Sequence, residues 1–294
     1  MSTTVTYGDT LYIDGVSART AYGVSLAEGS LAQVVALPAV RMPAVNDWRD
    51  GGIEVDTAEA LPEDVRRVQV RLIAHRSDLS DFFGALADGG TSVHTWQFRQ
   101  LSTGSGTYVE RPLRLVAMPQ VSRHDALTIL SLTLEDDTPL LQGYTYAAPT
   151  ASGLPVQGLS IDSHDVSWYH CQLLAGTRDA MYKAPDAKQN LTAALPSGGA
   201  QYDAAGGLLY GRKTARVQLL MRHGTTAAFW RCWQALLYNI TRSGPRTLTY
   251  APESLTVHGI YTGAAMSVFH LTPFGGCMCR FSLDFLITDQ DPAQ

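Results

Sequence analysis

The chain has 294 residues, of which 45% are apolar and 17% charged, with 26 Gly and 14 Pro. At roughly 100–200 residues per domain this length predicts two domains, and the composition excludes a disordered chain, a collagen-like repeat and a coiled coil. The formal charge of −5 is unevenly placed: residues 1–150 carry 11 Arg, no Lys and 18 acids, a balance of −7, whereas residues 151–294 carry 11 basic and 9 acidic residues, a balance of +2. No basic patch points to nucleic-acid binding, and the acidic half would repel a phosphate backbone.

In chain order, the opening MSTTVTYGDT has neither a basic region nor an apolar one, so no signal peptide is expected. No apolar run approaches the ~18 residues of a membrane span. Leu11-Tyr12-Ile13-Asp14 and Tyr22–Leu26 read as short strands, and the long segment Leu37–Pro62 fits no element. Val68, Val70 and Leu72 alternate with Gln69 and Arg71, the period of a half-buried strand. Ser77 or Asp78 can cap a helix over Leu79–Ala87, whose apolar stripe is Phe82, Phe83 and Leu86. After Gly89-Gly90, strands are predicted at Val93–Phe98, Leu113–Met118 and Leu127–Glu135.

The same order then recurs. Leu159–Asp162, Tyr169–Leu173, Arg216–Met221 and Leu283–Phe285 echo Leu11–Asp14, Tyr22–Leu26, Arg67–Leu72 and Leu132–Leu134 at spacings of 148, 147, 149 and 151 residues. A helix over Ala227–Tyr238 carries the stripe Phe229, Trp230, Trp233 and Leu237, and Thr225 or Thr226 can cap it. Its register against the first helix is open between spacings of 147 and 150. Strands follow at Thr247–Tyr250, Leu255–Tyr261 and Cys279–Ile287, and Asp179–Gly207 is a second long segment without an element. The expectation is an α+β, mainly β chain: two tandem antiparallel β-sandwich or barrel domains, each with one flanking helix. Copy one spans residues 1–145, a linker 146–155, and copy two 156–294.

Chemical motifs are sparse. Cys171, Cys232, Cys277 and Cys279 lack the paired turn spacing of structural zinc and read as core thiols. Ser163-His164-Asp165 and Ser122-Arg123-His124-Asp125 contain triad letters, but sequence neighbours do not assemble a triad. Glu54, Asp56, Glu59, Glu63 and Asp64 form an acidic run that reads as solvated surface or a charged interface; a glycosidase pair is the remote alternative. No phosphate loop or dinucleotide motif occurs, and no cofactor or metal is expected. Trp48, Arg49, Trp96, Tyr108, Tyr144, Tyr146, Tyr202 and Tyr210 fall in or beside predicted loops, and the chain uses 19 Arg against 3 Lys. Tyr, Trp and Arg are favoured at protein interfaces.

The order of elements in each half, the loop Asn46-Asp47-Trp48-Arg49-Asp50-Gly51-Gly52-Ile53-Glu54-Val55-Asp56 and the run Phe229-Trp230-x-x-Trp233 resemble the tail-tube and distal-tail proteins of long-tailed bacteriophages and prophages. The resemblance covers most of 8–138 and 156–289, through degenerate motifs. It implies a non-enzymatic virion component, a homotrimer or homohexamer ring at the baseplate between tail tube and host-recognition apparatus, assembled in the host cytoplasm. Its partners would be neighbouring tail proteins, with DNA only in passage and no membrane. Many distal-tail proteins carry a different second domain, and this chain departs from them by repeating the first. Trp48, Arg49, Asp50, Glu54, Asp56, Tyr202 and Tyr210 are the candidate interface residues. The alternative from another class is a saccharide- or ligand-binding module stacking on Trp48, Trp96 or Tyr108.

Overall fold

The computed structural model describes residues 11–27, 29–42, 44–47, 53–55, 59–75, 78–87, 93–99, 108–117, 119–124, 127–150, 152–186, 192–202, 211–271 and 276–288. In the first half these are β1 (Leu11–Ile13), β2 (Val16–Ser17), α1 (Ala18–Tyr22), β3 (Val24–Leu26), α2 (Ser30–Val35), β4 (Val45–Asp47), β5 (Ile53–Val55), β6 (Arg66–Ala74), α3 (Ser80–Leu86), β7 (His94–Arg99), β8 (Tyr108–Leu115), β9 (Gln120–His124) and β10 (Leu127–Asp136). The second half has β11 (Leu159–Ile161), β12 (His164–Asp165), a 3-10 turn at Val166–Tyr169, β13 (Cys171–Leu173), α4 (Thr177–Tyr182), β14 (Thr192–Ala194) and β15 (Ala200–Tyr202). It closes with β16 (Lys213–His223), α5 (Thr226–Ile240), β17 (Arg246–Tyr250), a 3-10 turn at Ala251–Glu253, β18 (Leu255–Leu271) and β19 (Cys277–Ile287).

Both halves build one fold. The first sheet runs β2-β1-β7-β8-β10-β6-β3, with β9 also paired to β10, and the second runs β12-β11-β17-β18-β19-β16-β13. Each antiparallel sheet curls into a half-barrel. The 17 residues of β18 take the place of β8 and β9 together, and they bend at register shifts between Tyr261 and Gly263 and between Met266 and Val268. Gly259 in this strand permits a close approach, because a Cβ there would sit 3.1 Å from Phe285 and Ile287 side chains.

Ladder registers place the repeat more finely than residue identities do. Val24 opposes Ala74 and Leu26 opposes Leu72, while Cys171 opposes Met221 and Leu173 opposes Leu219, a spacing of 147 on both strands. The hydroxyl of Ser30 bridges the backbone of Arg71, and that of Thr177 bridges the backbone of Gln218, again at 147. The Arg67–Leu72 and Arg216–Met221 identities therefore lie two residues out of structural register. A two-residue slip keeps every side chain on its own face, so the inference of a repeat survives it.

The paired Ile-Asp residues have a shared task. Asp14 and Asp162 both adopt positive φ, at 50° and 55°. Each accepts a strand amide, Thr95 N–H at 2.7 Å and Thr247 N–H at 3.0 Å, and each takes a neighbouring cationic or imidazole side chain, His94 at 2.6 Å and Arg246 at 3.0 Å. Helix registers also agree at 147. Phe82 and Leu86 are buried as are Phe229 and Trp233, while Phe83 and Trp230 are half-buried. Asp78 accepts from Ser80 N–H ahead of α3, and Thr225 accepts from Ala228 N–H ahead of the longer α5.

Candidate assembly interface

The long segments predicted to make contacts contain β-hairpin arms. Val45 pairs with Val55 across β4–β5 and Thr192 pairs with Tyr202 across β14–β15, at the same spacing of 147. The base of each arm is closed by an equivalent bond, Asp64 N–H to Ala39 O at 2.9 Å and Gly211 N–H to Asp186 O at 2.7 Å. Glu54 lies on β5 and Tyr202 on β15. Trp48, Arg49, Asp50, Asp56 and Tyr210 lie outside the described residues.

The contact between the two copies is the interface with visible geometry. The chain leaving α2 lies across α5 and β18. Trp233 Nε1–H donates to Val35 O at 3.1 Å, and Tyr261 Oη–H donates to Pro38 O at 2.8 Å, both buried. Leu61 N–H donates to Thr241 O at 2.8 Å, Gln234 to Leu140 O at 3.2 Å and Arg231 to Ala148 O at 2.7 Å. Tyr144 and Tyr146 pack on Tyr238, with ring centroids at 6.0 and 5.0 Å. Glu63 is not free acidic surface: its carboxylate accepts from Leu140 and Leu141 N–H at 2.7 and 2.8 Å and anchors the chain that crosses into copy two. Buried apolar residues of the two copies thereby form one contiguous cluster. A cleft of about 750 Å³ opens along this seam beside Leu61, Glu63, Tyr144, Tyr238 and Arg242.

Among the described residues this seam has no counterpart around α4. By the spacing of 147, Val35 corresponds to Tyr182, Ala32 to Asp179 and Leu37 to Ala184. Val35 is 0% exposed, covered by copy two, whereas Tyr182 is 42% exposed. Asp179 and Ala184 are exposed as well. The inner positions of α4 match those of α2, since Thr177 and Met181 are as buried as Ser30 and Val34. Sequence reading missed α2 and α4; their signal is the hydroxyl that follows Gly29 and Gly176, which sit at positive φ of 82° and 92°.

Several chemical candidates resolve into structural roles. Trp96 is not an exposed stacking platform: it points inward from β7, is 0% exposed and stacks on Phe98. Alternation along β7 puts residues 96 and 98 on the core face. The side chains of Trp48 and Tyr108 lie outside the described residues. His164 stacks on Trp168 at 3.9 Å, while Asp165 accepts the amides of Ser167, Gln157 and Gly158, fixing the linker to copy two. All four cysteines are free and buried. Burial pushes the Cys232 and Cys277 thiols up to about 11 and about 12, and raises those of Cys171 and Cys279 as well. Among the described residues no group of three or more His, Cys, Asp or Glu is placed to hold a metal ion.

His223, opposite Cys277 at the end of β16, is 6% exposed, and its Nε2 has no partner among the described residues. Its ring lies 4.6 Å from that of His170. Burial, and then the charge of His170, pull its pKa down to about 4. Between its unfolded value of about 6.5 and about 4, the unfolded chain holds a proton that the folded one refuses. Stability present above the upper value is thus lost as pH falls, by on the order of 3 kcal/mol. Denaturant titrations at pH 7 and pH 4.5 should show a smaller acid loss for His223→Leu than for the parent. An equal loss in both would refute the role of His223.

No family model matches the chain, and no curated protein matches it. Among solved structures, the PlzA protein of Borreliella burgdorferi in complex with c-di-GMP aligns over 92% of this chain and 89% of its own, at 9% identity and a TM-score of 0.20. No helix among the described residues is long and apolar enough to cross a membrane.

Proposed function

We propose that this chain is a structural component of a bacteriophage or prophage tail, a segment of a homotrimeric or homohexameric ring that joins the tail tube to the baseplate and the host-recognition apparatus. The observation that carries the reading is the tandem use of one fold with a directional seam. Copy one presents α2 and copy two receives it on α5 and β18. A heterologous contact of this kind leaves one donor face and one acceptor face open at the ends, and repetition closes a ring when the rotation permits. Paired hairpin arms at matched positions suit contacts to a neighbour or the next ring. The charge difference between the copies, −7 against +2, suits a ring whose two domain types meet different surroundings. An acidic face toward the lumen would let DNA slide without sticking.

Native mass measurement across a concentration series, with negative-stain images in the presence of adjacent tail proteins, tests this. Closed trimers or hexamers are expected. A chain that stays monomeric at high concentration and with those neighbours present refutes the reading.

A further inference from the structure

Copy two carries a face that copy one keeps covered. On α2 that face is Val35 with the following Leu37 and Pro38, all buried where the chain bonds to Trp233 and Tyr261 of copy two. On α4 it is Tyr182 with Ala184 and Pro185, exposed or half-buried. Arg178 lies over the Tyr182 ring at 5.2 Å and pairs with Glu253 at 2.5 Å, so the aromatic is held in place on the surface. The substitutions follow the life of each surface. A contact sealed within one chain takes Val and Leu, whereas one that stands in water before a partner arrives takes Tyr and Arg.

The receiving surface has an equivalent too. In copy two it is Tyr261, Thr262 and Gly263, where the ladder shifts register, and the chain just after α2, Pro38, Ala39 and Val40, rests on them. Tyr261 opposes Phe285 as Leu115 opposes Leu134, so the matching stretch of copy one is Leu115, Val116 and Ala117. There β8 ends, leaving Leu115 and Val116 half-buried and Ala117 exposed.

We infer that the outer face of α4 with the chain that follows it, Tyr182–Asp186, docks on copy one of a second chain of this protein, Pro185 and Asp186 over Leu115–Ala117, repeating between chains the contact that α2 and the chain after it make within one. This rests on the ring-forming reading and names the surfaces that carry it. The net charges of +2 and −7 for the two halves favour this head-to-tail pairing over like meeting like.

Two experiments on the full chain test the assignment. Tyr182→Ala should weaken assembly at least about tenfold, read by native mass over a dilution series, while the melting temperature at dilutions where parent and variant are both monomeric falls only slightly, because the side chain is 42% exposed. The pair Asp186→Cys with Ala117→Cys, which matches Ala39 beside Gly263 in the seam within one chain, should on mild oxidation give inter-chain disulfide ladders, whereas each single variant should not. The native thiols are buried and stay out of this exchange. A ring that survives Tyr182→Ala, with no cross-link from the paired cysteines, overturns this surface and leaves the ring-forming reading standing. A parent chain that is monomeric throughout overturns both.

Discussion

Asp136→Ala should lower the unfolding free energy by about 3–5 kcal/mol, the usual cost of stranding a buried cation. The Asp136 side chain is 1% exposed and accepts from Arg66 at 2.6 Å and from Arg111 at 2.6 and 2.9 Å. Both guanidiniums are themselves nearly enclosed, at 10% and 12% exposure. Burial already pulls Arg66 below its ordinary pKa, and Asp136, with a smaller contribution from Glu63, opposes the pull. Arg66 also donates to Ala36 O and Arg111 to Thr138 O, so the network pins both strands of chain that cross toward copy two. Its loss should loosen the seam as well as the sheet.

Copy two shows how the network can be dispensed with. Asp136 opposes Arg66 as Ile287 opposes Lys213, and Arg111 opposes Trp96 as Val257 opposes Leu248. One fold therefore accepts either an ion triad or a mostly apolar cluster at this place. Replacing a buried ion network by apolar residues of similar volume is often neutral or stabilising. The combination Asp136→Ile, Arg111→Val and Arg66→Met, which removes the whole triad, should then recover at least half of what Asp136→Ala loses in urea denaturation. A combination as unstable as the single variant would show that the triad is tied to its surroundings in a way the second copy does not share.

The parts of the fold legible in the sequence are those where one face of a long element is buried. Val68, Val70 and Leu72 on β6 and Leu130, Leu132 and Leu134 on β10 are all buried, and their alternation is visible without a structure. The hairpin arms are not legible, since strands of three residues offer no period to detect. Nor is the length of β18: the expected strand stops at Tyr261, ahead of Gly263, Ala264 and Ala265, while the ladder to β19 runs on to Leu271. Pairing with a long neighbour overrides the low strand preference of Gly and Ala. For the site, the sequence pointed to the two long segments, which carry the paired hairpins, and to side chains outside the described set. The seam itself is made by Trp233, Tyr261 and Val35, which look like ordinary core residues until the two copies are superposed by register.

Trp233→Ala should cost about 3–5 kcal/mol through the cavity it opens and should also uncouple the two copies. The ring is fully buried, stacked on Phe229 at 5.2 Å and edge-on to Phe281 at 4.7 Å, so it belongs to the core of copy two. Its Nε1–H reaches the main chain of copy one, and without it Val35 O is left buried with one donor fewer. One contiguous core predicts a single unfolding transition for the parent, while a severed seam predicts two. Trp233→Phe separates the contributions: most of the packing stays and the donor goes, for a cost of about 1–2 kcal/mol. Calorimetry with near-ultraviolet circular dichroism reads both effects. If Trp233→Ala melts in one transition within about 1 kcal/mol of the parent, the seam is held mainly by the Tyr261–Pro38 and Leu61–Thr241 bonds, and the same logic would move the weight of any inter-chain contact from Tyr182 toward the main chain beside it.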